Sequence, residues 1–165
     1  MTDMDELTPN IILHGEQLFA MAIDAIIQQA EREILIFDTD LGRGGYTSLA
    51  RAAALRSFLI RGPHTRLVIL LHDSDFLTQR CPRLMELMKL FSHKVAIHQA
   101  GEEARAAQDS FVIADAEQYL HRFHVLHARF RYGLDDATTV RQLKERFNQI
   151  LETSQHAISP TTLGL

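Results

Sequence analysis

Between residues 16 and 31 the apolar side chains Leu18, Phe19, Ala22, Ile23, Ile26, Ile27 and Ala30 recur at helical spacing and form one stripe. The run Ile34-Leu35-Ile36-Phe37 that follows is short and wholly apolar and ends at Asp38, which predicts a parallel strand buried on both faces. Gly42, Gly44 and Gly45 make a flexible turn. A second helix is expected from an N-cap near Thr47 to Arg61, where Gly62-Pro63 stops it. Leu67 to Leu71 is another buried strand, ending at His72-Asp73. Pro82 opens a third helix at its first turn, with Leu84, Leu87, Met88 and Phe91 at i, i+3, i+4 and i+7. Val95-Ala96-Ile97 and Phe111 to Ala114 are short strands, and residues 119–132 are expected as two antiparallel strands. A last helix from Asp136 to about Thr153 buries Val140, Leu143, Phe147, Ile150 and Leu151.

The order α-β-α-β-α-β-β-β-β-α predicts an α/β sandwich, a central mixed β-sheet with helices on both faces. In open sheets of this kind ligands bind at the carboxyl ends of the parallel strands. Here those ends are Asp38-Thr39-Asp40, His72-Asp73-Ser74-Asp75 and the neighbourhood of Gln108 to Asp115. With no repeat or linker-like stretch, residues 1–165 are expected to form a single domain. Its ordered core would span about 10–155, with loose tails at 1–8 and about 156–165.

A chain of 165 residues can bury a sufficient core without a disulfide or metal staple. It contains no apolar run of bilayer-spanning length, and its start, MTDMDELTPN, lacks the basic-then-apolar order of a signal peptide. A cytoplasmic protein with no membrane contact is the expectation. The single cysteine, Cys81, excludes an internal disulfide. Its position beside Pro82 at a helix start could lower its pKa, but a buried structural thiol is the simpler reading. The net charge of −4 argues against a general nucleic-acid binder, which needs a concentrated positive surface. Arginine outnumbers lysine 14 to 3. Arginine suits bidentate contacts to phosphate or carboxylate, although a GC-rich genome would produce the same bias.

One segment has a recognisable frame. Gln108-Asp109-Ser110-Phe111-Val112-Ile113-Ala114-Asp115 is laid out like the His-x-Lys-x4-Asp signature of the phospholipase D superfamily, with Gln108 in place of the histidine and Ser110 in place of the lysine. From about Gln17 to Ser154 the chain resembles one half of a phospholipase D-like protein. Ala30-Glu31-Arg32-Glu33 followed by Ile34 to Phe37 looks like the family's opening helix and first strand. Leu55 to Leu71 looks like its helix, short glycine turn and second strand. Phe111 to Leu120 looks like the signature strand and its hairpin, and Leu143-Lys144-Glu145-Arg146-Phe147 through Ser154 like the closing helix. Within the superfamily it resembles an uncharacterised bacterial group that lacks the catalytic pair.

The resemblance implies a phospholipase D-like fold and, because active members need two signatures, a homodimer with a cleft at its two-fold interface. It also implies lost chemistry. The histidine is the nucleophile in those enzymes and the lysine stabilises the phosphoryl oxygens; the amide in the first place is not nucleophilic and the hydroxyl in the second carries no charge. Where active members carry a Gly-Ser-x-Asn-like stretch, this chain has Tyr119-Leu120-His121-Arg122. The expected role is binding or regulation rather than catalysis, with a phosphate-containing ligand or a protein partner and no cofactor. The cleft would be formed by Gln108, Ser110, Asp115 and Arg122, with Arg122 as the anion partner.

Four other constellations compete. His121, His124 and His127 have close spacing for a metal site, but an extended segment turns His124 away from the other two. Asp38 and Asp40 end an apolar strand as Asp-x-Asp, which looks like the first motif of Mg2+-dependent haloacid dehalogenase-type phosphatases. The later motifs of that family are poorly matched here. Gly42-Arg43-Gly44-Gly45 sits where a phosphate loop would, yet fits neither the dinucleotide nor the P-loop pattern. His72-Asp73 could form a general-base pair only across strands, and a turn with helix-capping aspartates explains it as well.

Overall fold

The computed structural model describes residues 6–157. Eight strands and five helices follow one another as β1 (Ile12–His14), α1 (Glu16–Gln29), β2 (Glu33–Asp38), α2 (Leu49–Leu59), β3 (Arg66–Leu71), α3 (Asp75–Arg80), α4 (Pro82–Leu90), β4 (Val95–Gln99), β5 (Ser110–Ala114), β6 (Gln118–His124), β7 (His127–Gly133), α5 (Ala137–Glu152) and β8 (Gln155–His156). The strands form one mixed sheet in the order β1-β7-β6-β5-β2-β3-β4-β8. β2, β3 and β4 run parallel, while β5 to β7 are antiparallel to their neighbours.

The apolar runs became the centre of this sheet because only a strand covered on both faces can bury every side chain. Ile34, Ile36, Ile69 and Val112 face α1, α2 and α4, joined there by Ile23, Ile26, Leu55, Phe58 and Leu84. Leu35, Phe37, Val68, Leu70, Phe111 and Ile113 face α5 through Val140, Leu143 and Phe147. Helices therefore cover both faces, as the pattern predicts.

Several expectations are corrected. β1, β8 and the short α3 have no counterpart in the predicted order. Ser48, not Thr47, caps α2: its hydroxyl accepts the Arg51 N–H at 3.0 Å. His156, at the start of the expected loose tail, pairs with β4 alongside Gln155; residues 1–5 and 158–165 lie outside the described residues. Cys81, by contrast, is the buried thiol of the simpler reading, and burial pushes its pKa up rather than down. Among the described residues no helix is long and apolar enough to cross a membrane.

Candidate functional site

The frame Gln108 to Asp115 runs along β5, and its two ends do different things. At the far end, Asp115 adopts a left-handed conformation (φ 55°). Its carboxylate accepts three backbone N–H groups, from Glu31 at 2.9 Å, Arg32 at 2.8 Å and Glu33 at 3.0 Å. It thus ties the end of β5 to the turn between α1 and β2. At about 3.4 Å per residue, the five steps from Ser110 put the two side chains at opposite ends of the strand. Asp115 therefore does not join Gln108, Ser110 and Arg122 in one cleft, and that part of the expectation is corrected. It lines a separate cavity of about 660 Å³ with Arg32, Arg66, Glu33 and Lys144. Replacing Asp115 by alanine should destabilise the fold by about 2–3 kcal/mol, because three backbone donors lose a charged acceptor. Asparagine tolerates the left-handed backbone and keeps one acceptor oxygen, so it should lose about half as much in chemical denaturation.

The other end of β5 holds the remaining members. Gln108 is exposed, and its side-chain amide donates to the Arg105 carbonyl at 3.0 Å. Ser110 is buried and pairs across the sheet with Arg122. Continuing the Phe37–Phe111 register by one residue sets Asp38 opposite Ser110. Cross-strand partners share a face. Asp38, Ser110 and Arg122 accordingly form one polar row at the carboxyl end of β2, on the face covered by α1.

Arg122 is the hub of that row, with only 1% of its surface exposed. Its guanidinium donates to both carboxylate oxygens of Glu16, at 2.6 and 2.9 Å, and to the carbonyls of Val125 at 2.9 Å and His124 at 3.3 Å. The Phe19 ring lies 4.7 Å from it. The hydrogen bond from Arg122 lowers the Glu16 carboxyl most, and Arg43 adds to the effect. Asp38 behaves in the opposite way. Burial pushes it up to about 7 with help from Asp40, against the Thr39 N–H and the more distant positive charges of Arg122 and Arg43.

The opposite face carries a cluster that sequence reasoning missed. Asp109, between the two substituted positions, points away from Ser110. It receives a two-pronged contact from Arg146 of α5, 2.6 Å on each arm, and another from His121 at 2.7 Å. Burial acts to raise its carboxyl, but the Arg146 and His121 hydrogen bonds outweigh it and hold Asp109 far below the usual carboxylate range. Nothing in the sequence pairs Asp109 with Arg146, 37 positions away.

The competing constellations come apart in space. His124 pairs with His127 across the β6–β7 hairpin, after a register shift between Arg122 and His124, while His121 is held by Asp109. The expected grouping of His127 with His121 is thereby corrected: the irregular register brings His127 opposite His124. Among the described residues no three His, Cys, Asp or Glu side chains are grouped to hold a metal ion. Asp38 accepts the Thr39 N–H and Asp40 the Gly42 N–H, so both Asp-x-Asp carboxylates serve their own loop. Gly44 and Gly45 have positive φ, and a Cβ on Gly44 would meet Ile23 at 2.5 Å; the turn needs glycine for its path. His72 bonds to the Ala107 carbonyl, and Asp73 accepts the Asp75 N–H at the entry to α3.

Residues 15–160 match the model of a domain family described as a domain of unknown function, DUF7931. The chain belongs to this family. No curated protein sequence matches it. The fold is that of the phospholipase D family: Nuc from Salmonella typhimurium, a phospholipase D family member, is similar with a TM-score of 0.61 at 11% identity over 84% of this chain and 90% of its own. NucT from Helicobacter pylori is similar with a TM-score of 0.60 at 15% identity, over 88% of this chain and 97% of its own. TrmBL2, an archaeal chromatin protein with a novel mode of DNA binding, is similar with a TM-score of 0.67 at 16% identity, over 89% of this chain. Only 53% of TrmBL2 is spanned. At such identities the likeness establishes the fold alone. None of these three structures lends support to a haloacid dehalogenase reading.

Proposed function

We propose that this DUF7931 domain is a non-catalytic phospholipase D-like module of the cytoplasm, binding a phosphate-containing ligand at the carboxyl end of β2 through Gln108, Ser110 and Arg122. The observation that carries the reading is the cross-strand pair of Ser110 with a buried Arg122. A guanidinium sits beside a signature position, while neither signature position holds an imidazole or an ammonium group. Such a fork recognises two oxygens of an anion at once. A homodimer is the assembly proposed with it, and light scattering that returned a monomer mass would remove that element. The negative net charge keeps nucleic acid out of the proposal.

Inorganic or phenyl phosphate at about 50 mM should raise the melting temperature by mass action on the folded state, and Arg122→Lys should remove the shift. Bis(p-nitrophenyl) phosphate should not be hydrolysed above background. Turnover that disappears when Gln108 or Ser110 is replaced would overturn the non-catalytic part. Stabilisation by Mg2+ alone, lost in Asp38→Asn, would instead favour the Asp38 and Asp40 phosphatase.

A further inference from the structure

The guanidinium expected to receive the ligand already holds a carboxylate. Glu16, at the first position of α1, lies across the Arg122 fork with both oxygens engaged. The other partners of Arg122 are fixed parts of the fold: the Phe19 ring belongs to the core, and the His124 and Val125 carbonyls to the β6–β7 connection. Glu16 differs from them. Its side chain is 57% exposed even while it grips a guanidinium that is almost wholly buried. Leaving the fork would therefore uncover little apolar surface. The positive charge of Arg43, on the glycine-bearing loop after β2, adds a smaller favourable field at the Glu16 carboxylate. Beside it a cavity of about 410 Å³ opens, lined by His14, Gly15, Glu16, Gln17, Leu18 and Met21. That cavity gives a displaced Glu16 side chain space to turn into.

We propose that the Glu16 carboxylate is an internal occupant of an anion site, and that a phosphate monoester binds Arg122 by displacing it. The inference rests on the reading that this cleft takes a phosphate-bearing ligand. A phosphate monoester dianion presents the same two-oxygen face as the carboxylate and keeps a third oxygen free of the fork. It carries twice the charge into the field of two arginines. Simple carboxylic acids offer nothing that Glu16 does not already supply from a tethered position. Competition with a tethered group weakens every outside anion by the local concentration of that group, so wild-type affinity is low and selective for dianions.

Titration calorimetry of the full chain with phenyl phosphate tests this. Glu16→Ala should bind at least ten-fold more tightly than the wild type, and Glu16→Gln, which keeps the length but not the charge, should fall between them. Adding Arg122→Lys to Glu16→Ala should abolish the gain. If wild type and Glu16→Ala bind equally well and Arg122→Lys removes both, the cleft is a phosphate site but Glu16 is no competitor, and this inference falls alone. If neither wild type nor either Glu16 variant binds phenyl phosphate, the phosphate reading of the cleft falls and takes the inference with it. Circular dichroism melts of the Glu16 variants, expected near wild type, separate lost binding from lost structure.

Discussion

Replacing Asp38 by asparagine should make the domain more stable at pH 8, by roughly 2–4 kcal/mol, with the gain shrinking toward zero as pH falls to about 4. The unfolded carboxyl titrates near 3.8, whereas in the fold burial pushes it up to about 7. Between those values the folded chain holds a proton that the unfolded chain has released. Stability contributed by a raised carboxyl is complete below the unfolded value and is lost as pH rises through the folded one. Each pH unit in that interval removes at most about 1.4 kcal/mol, and above pH 7 the loss levels off. Asparagine keeps an acceptor for the Thr39 N–H and carries no charge to desolvate. Urea denaturation of both proteins at pH 4, 6 and 8 checks the effect, and a gain that did not vary with pH would place its cause elsewhere. Asp109 cannot mimic the trend. Its carboxyl is held low, so its contribution is lost only as pH falls below the ordinary carboxylate range.

A buried carboxylate that weakens the fold at neutral pH breaks the rule that buried charges are paired. Asp38 has a hydrogen bond from its own loop and no ion-pair partner at contact distance among the described residues. It lies in the same row as Ser110 and Arg122, at the end of the sheet where open α/β folds place their ligands. Perturbed carboxyls cluster at functional sites because function, not stability, retains them. Asp38 is on that ground a candidate member of the Ser110 and Arg122 row, with or without the phospholipase D frame.

The centre of the fold was legible because its signal is local. Ile34 to Phe37, Leu67 to Leu71 and Phe111 to Ala114 are continuous apolar runs, and continuous burial is what β2, β3 and β5 provide. The sheet edges carry no such signal. β1 is three residues with Ile12 exposed, and β8 is Gln155 and His156 alone; both exist because a neighbouring strand offers free backbone groups. The frame of the candidate site lies in one stretch of sequence, whereas the partners of its residues do not. Gln108, Ser110 and Arg122 could be named from one stretch of chain. Glu16, which fills the Arg122 fork, is 106 positions away and has the look of any surface glutamate at a helix start. Asp115 misled for a related reason. A signature aspartate reads as chemistry, while its actual partners, the N–H groups of residues 31–33, leave no trace in side-chain identity.

Arg122→Ala is expected to be the most damaging single change at the site, costing about 3–5 kcal/mol in chemical denaturation. Little of that comes from the Glu16 ion pair. With more than half of its side chain in water, Glu16 can be solvated when its partner leaves, and pairs of that kind contribute about 1 kcal/mol or less. The larger losses are on the buried side. The Val125 and His124 carbonyls lose their donor at the β6–β7 connection, and Phe19 loses the guanidinium against its ring. The void left by six heavy atoms adds to both. Arg122→Met refills about half of that space without restoring the donors, so it should recover less than half of the loss. Glu16→Gln should change stability by about 1 kcal/mol or less, since the fork keeps one oxygen acceptor. Should Glu16→Gln prove as destabilising as Arg122→Ala, the carboxylate would be a structural tie rather than a displaceable one, and the energetic basis for ligand exchange at Arg122 would be gone.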